Sequence, residues 1–281
     1  VFSSDLATGT GTFLVEVIDF IHKRMFEKWQ AEDHDAKKIE ELWNDYVPKH
    51  LLPRLHGYEL MMAPYAIAHM KIGLKLYETG YRFKSKERVR VYLTNSLEPV
   101  KDFSGTLGFA IPALAHEAEA VNTIKEHQRF TVVIGNPPYA GHSANSSKDE
   151  LGKLNFVGEL LAAYFSYNGQ PLGEKNPKYL QDDYVKFTRY AQWQIDRSSA
   201  GLVGMITNHS FLDNPTFRGM RESFCQSFQI SYLLDLHGNL NRKEKAPGGG
   251  RDENIFDIRQ GVSVSLHIKR DSCDEIAGKL G

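Results

Sequence analysis

The chain has 281 residues, 41% of them hydrophobic and 25% charged, proportions that suit a globular α/β protein with a substantial core. A net charge of −1 excludes attraction to nucleic acid by overall charge, and no apolar run approaches the roughly 20 residues of a membrane helix. Two cysteines in no metal-like or redox spacing and eleven scattered histidines point to no metal site and to a reducing, cytoplasmic setting.

The first readable element is Asp5-Leu6-Ala7-Thr8-Gly9-Thr10-Gly11-Thr12-Phe13-Leu14. Its glycines let the backbone approach a ligand closely, and the helix that follows offers free N–H groups. It lacks the third glycine of the dinucleotide fingerprint. Helical spacing runs from Thr12 to about Gln30, and a charged, Trp-containing stretch then reaches about Lys49, with Pro48 and Pro53 as expected stops. Residues 20–55 thus read as a helical insertion, with Glu32-Asp33-His34-Asp35 as an exposed helix end. A short strand at Gly57–Leu60 carries Glu59 at its end, where a carboxylate is either a solvated acid or a grip on ribose hydroxyls. A helix is expected from Pro64 to about Glu78, with Pro64 in its first position, Gly80 just past its end, and Met61, Met62, Ile67 and Leu74 as a core stripe. Arg88–Thr94 alternates like a strand and delivers Asn95, Ser96 and Leu97; residues 96–113 read as loop and 114–128 as helix.

Phe130-Thr-Val-Val-Ile-Gly-Asn136-Pro137-Pro138-Tyr139 is an apolar, β-branched run that ends in two prolines, which forbid further helix or ladder. That makes a stiff turn at the carboxyl end of a buried parallel strand, the edge where open α/β sheets bind ligands. The Asn136 side-chain oxygen and the Pro137 carbonyl can each accept one N–H, and the Tyr139 ring can stack on a plane. The polar excursion from 140 to 177 reads as a lid-like loop with a helix at 154–165. Beyond it come helix 178–197, strand Leu202–Thr207, helix 216–228, strand Ile230–Leu236, a Gly-rich loop at 246–251 and a last strand at Val262–Lys269. Arg242, Lys243, Lys245 and Arg251 make a local basic loop, tempered by Glu244, Asp252 and Glu253. Alternating strand and helix argues for a parallel sheet with helices on both faces.

Asn136-Pro137-Pro138-Tyr139 resembles motif IV of the methyltransferases that act on amino and amide nitrogens, and Asp5–Leu14 resembles motif I of the N6-adenine DNA methyltransferases, with Leu6 where that family usually has proline. The block Gly57-Tyr-Glu59 through His69, the blocks Gly201–Leu212 and Thr216–Arg221 (motif VI), and Leu234–Asn239 with Asp252–Val264 (motif VIII) resemble the type IIG and type ISP restriction–modification enzymes. The resemblance implies a Rossmann-like, mostly parallel seven-stranded sheet with an antiparallel last strand. It also implies S-adenosylmethionine held by Asp5, Ala7, Thr8, Gly9, Gly11, Phe13, Glu59, Asn95 and Leu97. Asn136, Pro137, Pro138 and Tyr139 would then act on an adenine flipped from double-stranded DNA, with Phe256 and Asn208 near the base and Arg218 and Arg221 on phosphate.

Residues 1–281 are therefore expected to form one methyltransferase catalytic domain, a fragment of a longer protein whose target-recognition and nuclease or helicase parts lie elsewhere. The same turn suits a glutamine-N5 protein or guanine-N2 RNA methyltransferase, and a catalytically incompetent scaffold fragment is a third reading.

Overall fold

The computed structural model describes residues 2–98, 112–138, 143, 145–174, 177–241, 248–250, 252, 254–256 and 258–271; in the helix that starts at Pro112, side chains are described from residue 119. Its strands are β1 (Ser3–Asp5), β2 (Leu55–Glu59), β3 (Arg90–Leu93), β4 (Val132–Gly135), β5 (Ser166–Tyr167), β6 (Gln170–Pro171), β7 (Gly201–Asn208), β8 (Ile230–Asp235) and β9 (Val262–Lys269). Seven of them form one sheet in the order β3-β2-β1-β4-β7-β9-β8, and β5 and β6 pair as a separate hairpin. This is the expected mostly parallel Rossmann-like sheet. Contacts divide the chain into two compact units, Val1–Ser96 with Val100–Gln128, and Leu97–Pro99 with Arg129–Gly281.

In the first unit β1, β2 and β3 run parallel, with Asp5 beside Gly57 and Glu59 beside Leu93. The loops that leave these strands therefore emerge at one edge. Among the described residues this unit has four α-helices: α1 (Thr12–Ala31), α2 (Ala36–Tyr46), α3 (Met62–Glu78) and α4 (Pro112–His127). Leu14 and Ile18 of α1, Ile39 and Trp43 of α2, and Ala68, Ile72 and Leu76 of α3 share one core with Leu55 and Val91. The segment expected as an insertion is thus built into the same core as the strands.

Two local expectations are corrected, at Pro48 and on α3. Pro48 does not stop the helix: after α2 the ladder widens into a π turn over Val47–Leu51, in which Leu52 N–H reaches back to Val47 O. The π turn carries the chain past the proline, whose ring nitrogen has no N–H to give to the ladder. Glu32, Asp33 and Asp35 are exposed beyond the end of α1 as expected, and the Asp35 carboxylate also accepts Lys38 N–H at 2.7 Å and caps α2. The Met61, Met62, Ile67 and Leu74 stripe is exposed (63%, 58%, 40% and 54%), because the inward face of α3 is the i, i+4, i+8 row Ala68, Ile72, Leu76. Pro64 sits in the first turn and Gly80, with φ +91°, follows the helix end as expected.

In the second unit β4 runs parallel to β7, and β9 pairs antiparallel with both β7 and β8. Helix α5 (Phe156–Leu161) continues as a 3₁₀ turn to Phe165, α6 spans Asp183–Asp196 and α7 spans Arg218–Ser227. Helix α6 packs on β4 and β7 and buries most of its circumference, from Tyr184 and Phe187 to Ile195. Among the described residues no helix is long and apolar enough to cross a membrane.

Candidate active site

The glycine loop of the first unit is built by hydrogen bonds that converge from β2 and β3. Thr8 N–H donates to Tyr58 O at 3.0 Å and Gly11 N–H to Thr8 O at 2.9 Å. Gly9 and Gly11 take φ of +54° and +80°, which lets the backbone fold back before α1. Leu6, at the position where the motif I resemblance leads one to expect proline, is buried, and its carbonyl accepts Ser96 Oγ–H at 2.5 Å. Hydrogen bonds thus hold the turn where a ring would have stiffened it.

Two carboxylates stand in this loop. Glu59 accepts Gly9 N–H through Oε2 and Met61 N–H through Oε1, both at 2.8 Å. Asp5 is fully buried; its Oδ1 accepts Ala7 N–H at 3.2 Å, and its Oδ2 has no partner among the described residues. Burial pushes the Asp5 carboxyl up to about 7, against the Ala7 bond that lowers it and with help from the Glu59 charge. A Cβ placed on Gly9 would meet nothing within 4 Å, so open space faces the loop at that point.

These residues fit S-adenosylmethionine: carboxylate oxygens with lone pairs left for hydroxyls, an orphaned buried acid suited to a cationic ligand, and room beside a bare glycine. Phe13 and Ala7 are half-buried at the loop and Leu97 is buried. Asn95 lies just past β3, where Thr94 N–H donates to Glu59 O at 2.8 Å. Lys125 of α4, almost fully buried, donates to Asn95 O at 2.7 Å and to Thr94 Oγ1 at 3.4 Å. Neither Lys125 nor Ser96 was legible as a support, because each contact spans at least 30 residues.

In the second unit the registers of β4 and β7 put Asn136 immediately beyond the last paired residue, Gly135. Asn136 is exposed, Pro137 buried and Pro138 exposed, so the amide projects from an anchored turn. Tyr139 lies outside the described residues, as do Arg242, Lys243, Lys245, Arg251, Glu244 and Glu253, and parts of the 96–113 and 140–177 segments.

At the end of β7 the Asn208 side chain accepts Ser210 N–H at 2.9 Å and caps the short turn that follows. Arg218 and Arg221, expected on phosphate, both make bonds within the unit. Arg218 pairs with Glu174 and donates to Leu172 O, while Arg221 donates to Phe211 O at 2.8 Å and Asn214 O at 3.0 Å. Phe256 is 37% exposed, on a loop pinned to the exit of β8. Asn254 Nδ2 donates to Gly238 O at 3.1 Å and to Gln260 O at 2.6 Å, and Gly238 N–H donates to Asp252 at 3.0 Å.

A family model described as Eco57I restriction-modification methylase matches residues 56–241, which include Glu59, Asn136 and Asn208. Among solved structures the chain is similar to the ATP-dependent Type ISP restriction-modification enzyme LlaBIII bound to DNA, at 24% identity and a TM-score of 0.69 over 96% of this chain and 17% of that one. It is similar to a DrdV–DNA complex at 27% identity and a TM-score of 0.66, over 96% of this chain and 23% of that one. A nuclease-deletion mutant of the Type ISP enzyme LlaGI with a DNA substrate mimic gives 22% identity and a TM-score of 0.69, over 97% of this chain and 21% of that one. The chain thus spans about a fifth of the length of these proteins. No curated protein matches it.

Proposed function

The chain belongs to the Eco57I restriction-modification methylase family, a family that takes its methyl group from S-adenosylmethionine, and from that premise we propose that it methylates adenine N6 in double-stranded DNA. When bound, S-adenosylmethionine supplies an electrophilic methyl group on a sulfonium. Everything else asked of the site falls to the chain's own residues.

Asp5, Gly9, Gly11, Glu59 and Asn95 hold the donor, with Ala7, Thr8, Phe13 and Leu97 shaping the loop around it. The Asn136 side-chain oxygen and the Pro137 carbonyl accept the two hydrogens of an exocyclic amino group. Accepting both hydrogens fixes the plane of that nitrogen and raises its electron density, so that its lone pair is aimed at the methyl carbon. Tyr139 stacks on the ring. Adenine N6 is hidden within a duplex, so the base is flipped out, with Phe256 and Asn208 beside it. Residues 1–281 act as one catalytic domain in this reading, with target recognition supplied by other parts of the protein.

The observation that carries the proposal is the exposed Asn136 amide on the buried Pro137 at the carboxyl end of a parallel strand. The test offers the chain methyl-labelled S-adenosylmethionine with three acceptors: long DNA free of N6-methyladenine, structured RNA, and a glutamine-containing release-factor protein. Label recovered as N6-methyladenine is the expected result. Label in RNA guanine or protein glutamine, or no label in any acceptor from a folded chain that binds the donor, overturns it.

A further inference from the structure

The exits of β7 and β8 are joined by a buried imidazole that the proposed chemistry leaves without a role. His209, 4% exposed, follows β7 directly; its Nδ1 lies 2.9 Å from Asp235 Oδ1 at the end of β8, and its Nε2 lies 2.9 Å from Asn239 Nδ2. The proton positions on this chain follow from the neighbours. Asn239 Oδ1 accepts Asn241 N–H at 3.1 Å, which fixes the amide and leaves Nδ2 as the donor to His209 Nε2. Nε2 must then carry a lone pair, so the ring proton is on Nδ1 and is donated to the Asp235 carboxylate, which also accepts His237 N–H at 2.9 Å. Among the described residues these bonds are matched with the ring proton on Nδ1.

This imidazole also seals the loop that carries Phe256. A Cβ on Gly261 would lie 2.4 Å from His209 Cε1 and Nε2, and His209 N–H donates to Gly261 O at 3.0 Å. Leu240 N–H donates to Arg259 O at 3.0 Å, and Phe256 N–H is held by Asn254 Oδ1 at 2.9 Å. Both anchors of residues 254–261, the Asn239 turn and Gly261, therefore bear on one side chain. We propose that His209 is a positioning residue: the Asp235–His209–Asn239 chain sets the Phe256 loop against the acceptor base. This rests on the methyltransferase reading of the site.

Asn239→Asp tests it with almost no change of shape. A carboxylate at 239 still accepts Asn241 N–H but cannot donate to a neutral Nε2, so the chain is matched again only when His209 is protonated between two carboxylates. Among the described residues the other titratable groups of this network are His237, 3.6 Å from Asp235 Oδ2, and Asp252, on Gly238 N–H; both are unchanged in the variant.

Two ratios of Asn239→Asp to the wild type are measured at pH 8.5 and pH 6. One is methyl transfer to long DNA free of N6-methyladenine; the other is the hydrogen-exchange protection of the Phe256 and Ile258 amides. We expect both ratios to be at least tenfold below one at pH 8.5 and to recover towards one at pH 6, with S-adenosylmethionine affinity unchanged throughout. Asn239→Ala should stay low at both values. Ratios that do not change with pH overturn the positioning role. If the wild type moves no methyl to DNA, the proposed function falls, and the protection ratios alone support or overturn the lock.

Discussion

Glu59 accepts the backbone N–H of Gly9 at 2.8 Å across 50 residues of sequence, so the carboxylate that ends β2 also fixes the shape of the loop after β1. A carboxylate is matched to this job because both of its oxygens accept, one from Gly9 and the other from Met61. In Glu59→Gln one of these N–H groups faces an NH₂. Leaving such a donor unmatched costs about 1–3 kcal/mol, and the loop is the part that moves. Calorimetric titration with S-adenosylmethionine should show binding weakened by about tenfold or more, roughly 1.4 kcal/mol, with a lowered melting temperature. Affinity equal to the wild type would remove Glu59 from the donor site.

Asp5 gives the unliganded chain a distinct pH dependence. Its folded carboxyl, raised to about 7 from 3.8, binds a proton more tightly than the unfolded one. The stability it contributes is therefore complete below pH 3.8 and is lost as pH rises through 7. Each tenfold gain in proton affinity is worth about 1.4 kcal/mol, so the loss is on the order of 4 kcal/mol. Asp5→Asn, neutral at every pH, should unfold at higher denaturant than the wild type at pH 8.5 and at a similar concentration at pH 4. Parallel curves for the two proteins across that range would show that Asp5 is ionised in the fold.

His267 acts at the acid side. Its ring lies between Phe224 and Phe228, at centroid distances of 4.4 and 5.3 Å; Nδ1 meets Ser231 Oγ at 2.8 Å, and Nε2 has no partner among the described residues. Burial lowers its titration from 6.5 to about 4. A depressed histidine contributes stability that is present above pH 6.5 and lost as pH falls towards 4, about 3 kcal/mol in this case. His56, buried and lowered to about 4 as well, adds a second loss over the same window. In His267→Gln the unfolding free energy should fall less steeply between pH 6.5 and 4 than in the wild type. An identical slope would mean that His267 is charged within the fold.

The order of elements could be read from the chain because apolar period, proline and glycine are local signals. The strand that ends just before Asn136, the helix stop at Gly80 and the last strand at Val262–Lys269 all stand where those signals put them. Contacts between distant segments left no such mark. Nothing in the neighbourhood of Lys125 announces that its ammonium supports the carbonyl of Asn95, and Glu59 reads as a strand-end acid until Gly9 is seen beside it. The α3 stripe misled for a related reason. Methionine and leucine outweigh alanine on any hydrophobic scale, yet close packing beside Gly11 selects the row that contains Ala68, whose Cβ would lie 3.1 Å from a Cβ at that glycine. The bonds of Arg218 and Arg221 to chain carbonyls from other segments or from the previous turn left no local mark in the sequence either.

Asn136 separates the chemical step from donor binding. In the proposed function Asn136 meets the acceptor rather than the donor, so Asn136→Ala should leave S-adenosylmethionine affinity unchanged. Losing one acceptor aimed at the amino group should lower transfer by about 10²-fold or more, as for other preorganised polar groups at a reacting atom. Single-turnover transfer with saturating donor measures this directly. An unchanged rate would sink the role given to Asn136.

Gly57 shows how tightly the glycine loop is seated on β2. A Cβ there would lie 2.6 Å from Thr8 Oγ1 and 2.9 Å from Leu14 Cδ1, closer than real Cβ contacts come, so Gly57→Ala must displace either the loop or the first turn of α1. Overpacking of this kind costs about 1–3 kcal/mol. The displaced atoms belong to the residue whose N–H is bonded to Tyr58 O, so donor affinity should fall along with stability. Thr8→Ala removes the nearer of the two obstructions and leaves Leu14 Cδ1, at the expense of the Oγ1–H bond to Asp5 O. The double variant should therefore bind S-adenosylmethionine better than the sum of the two single losses predicts, with a coupling of about 0.5–3 kcal/mol. Strict additivity of the two losses would show that Thr8 does not lie over Gly57 in the donor-binding state.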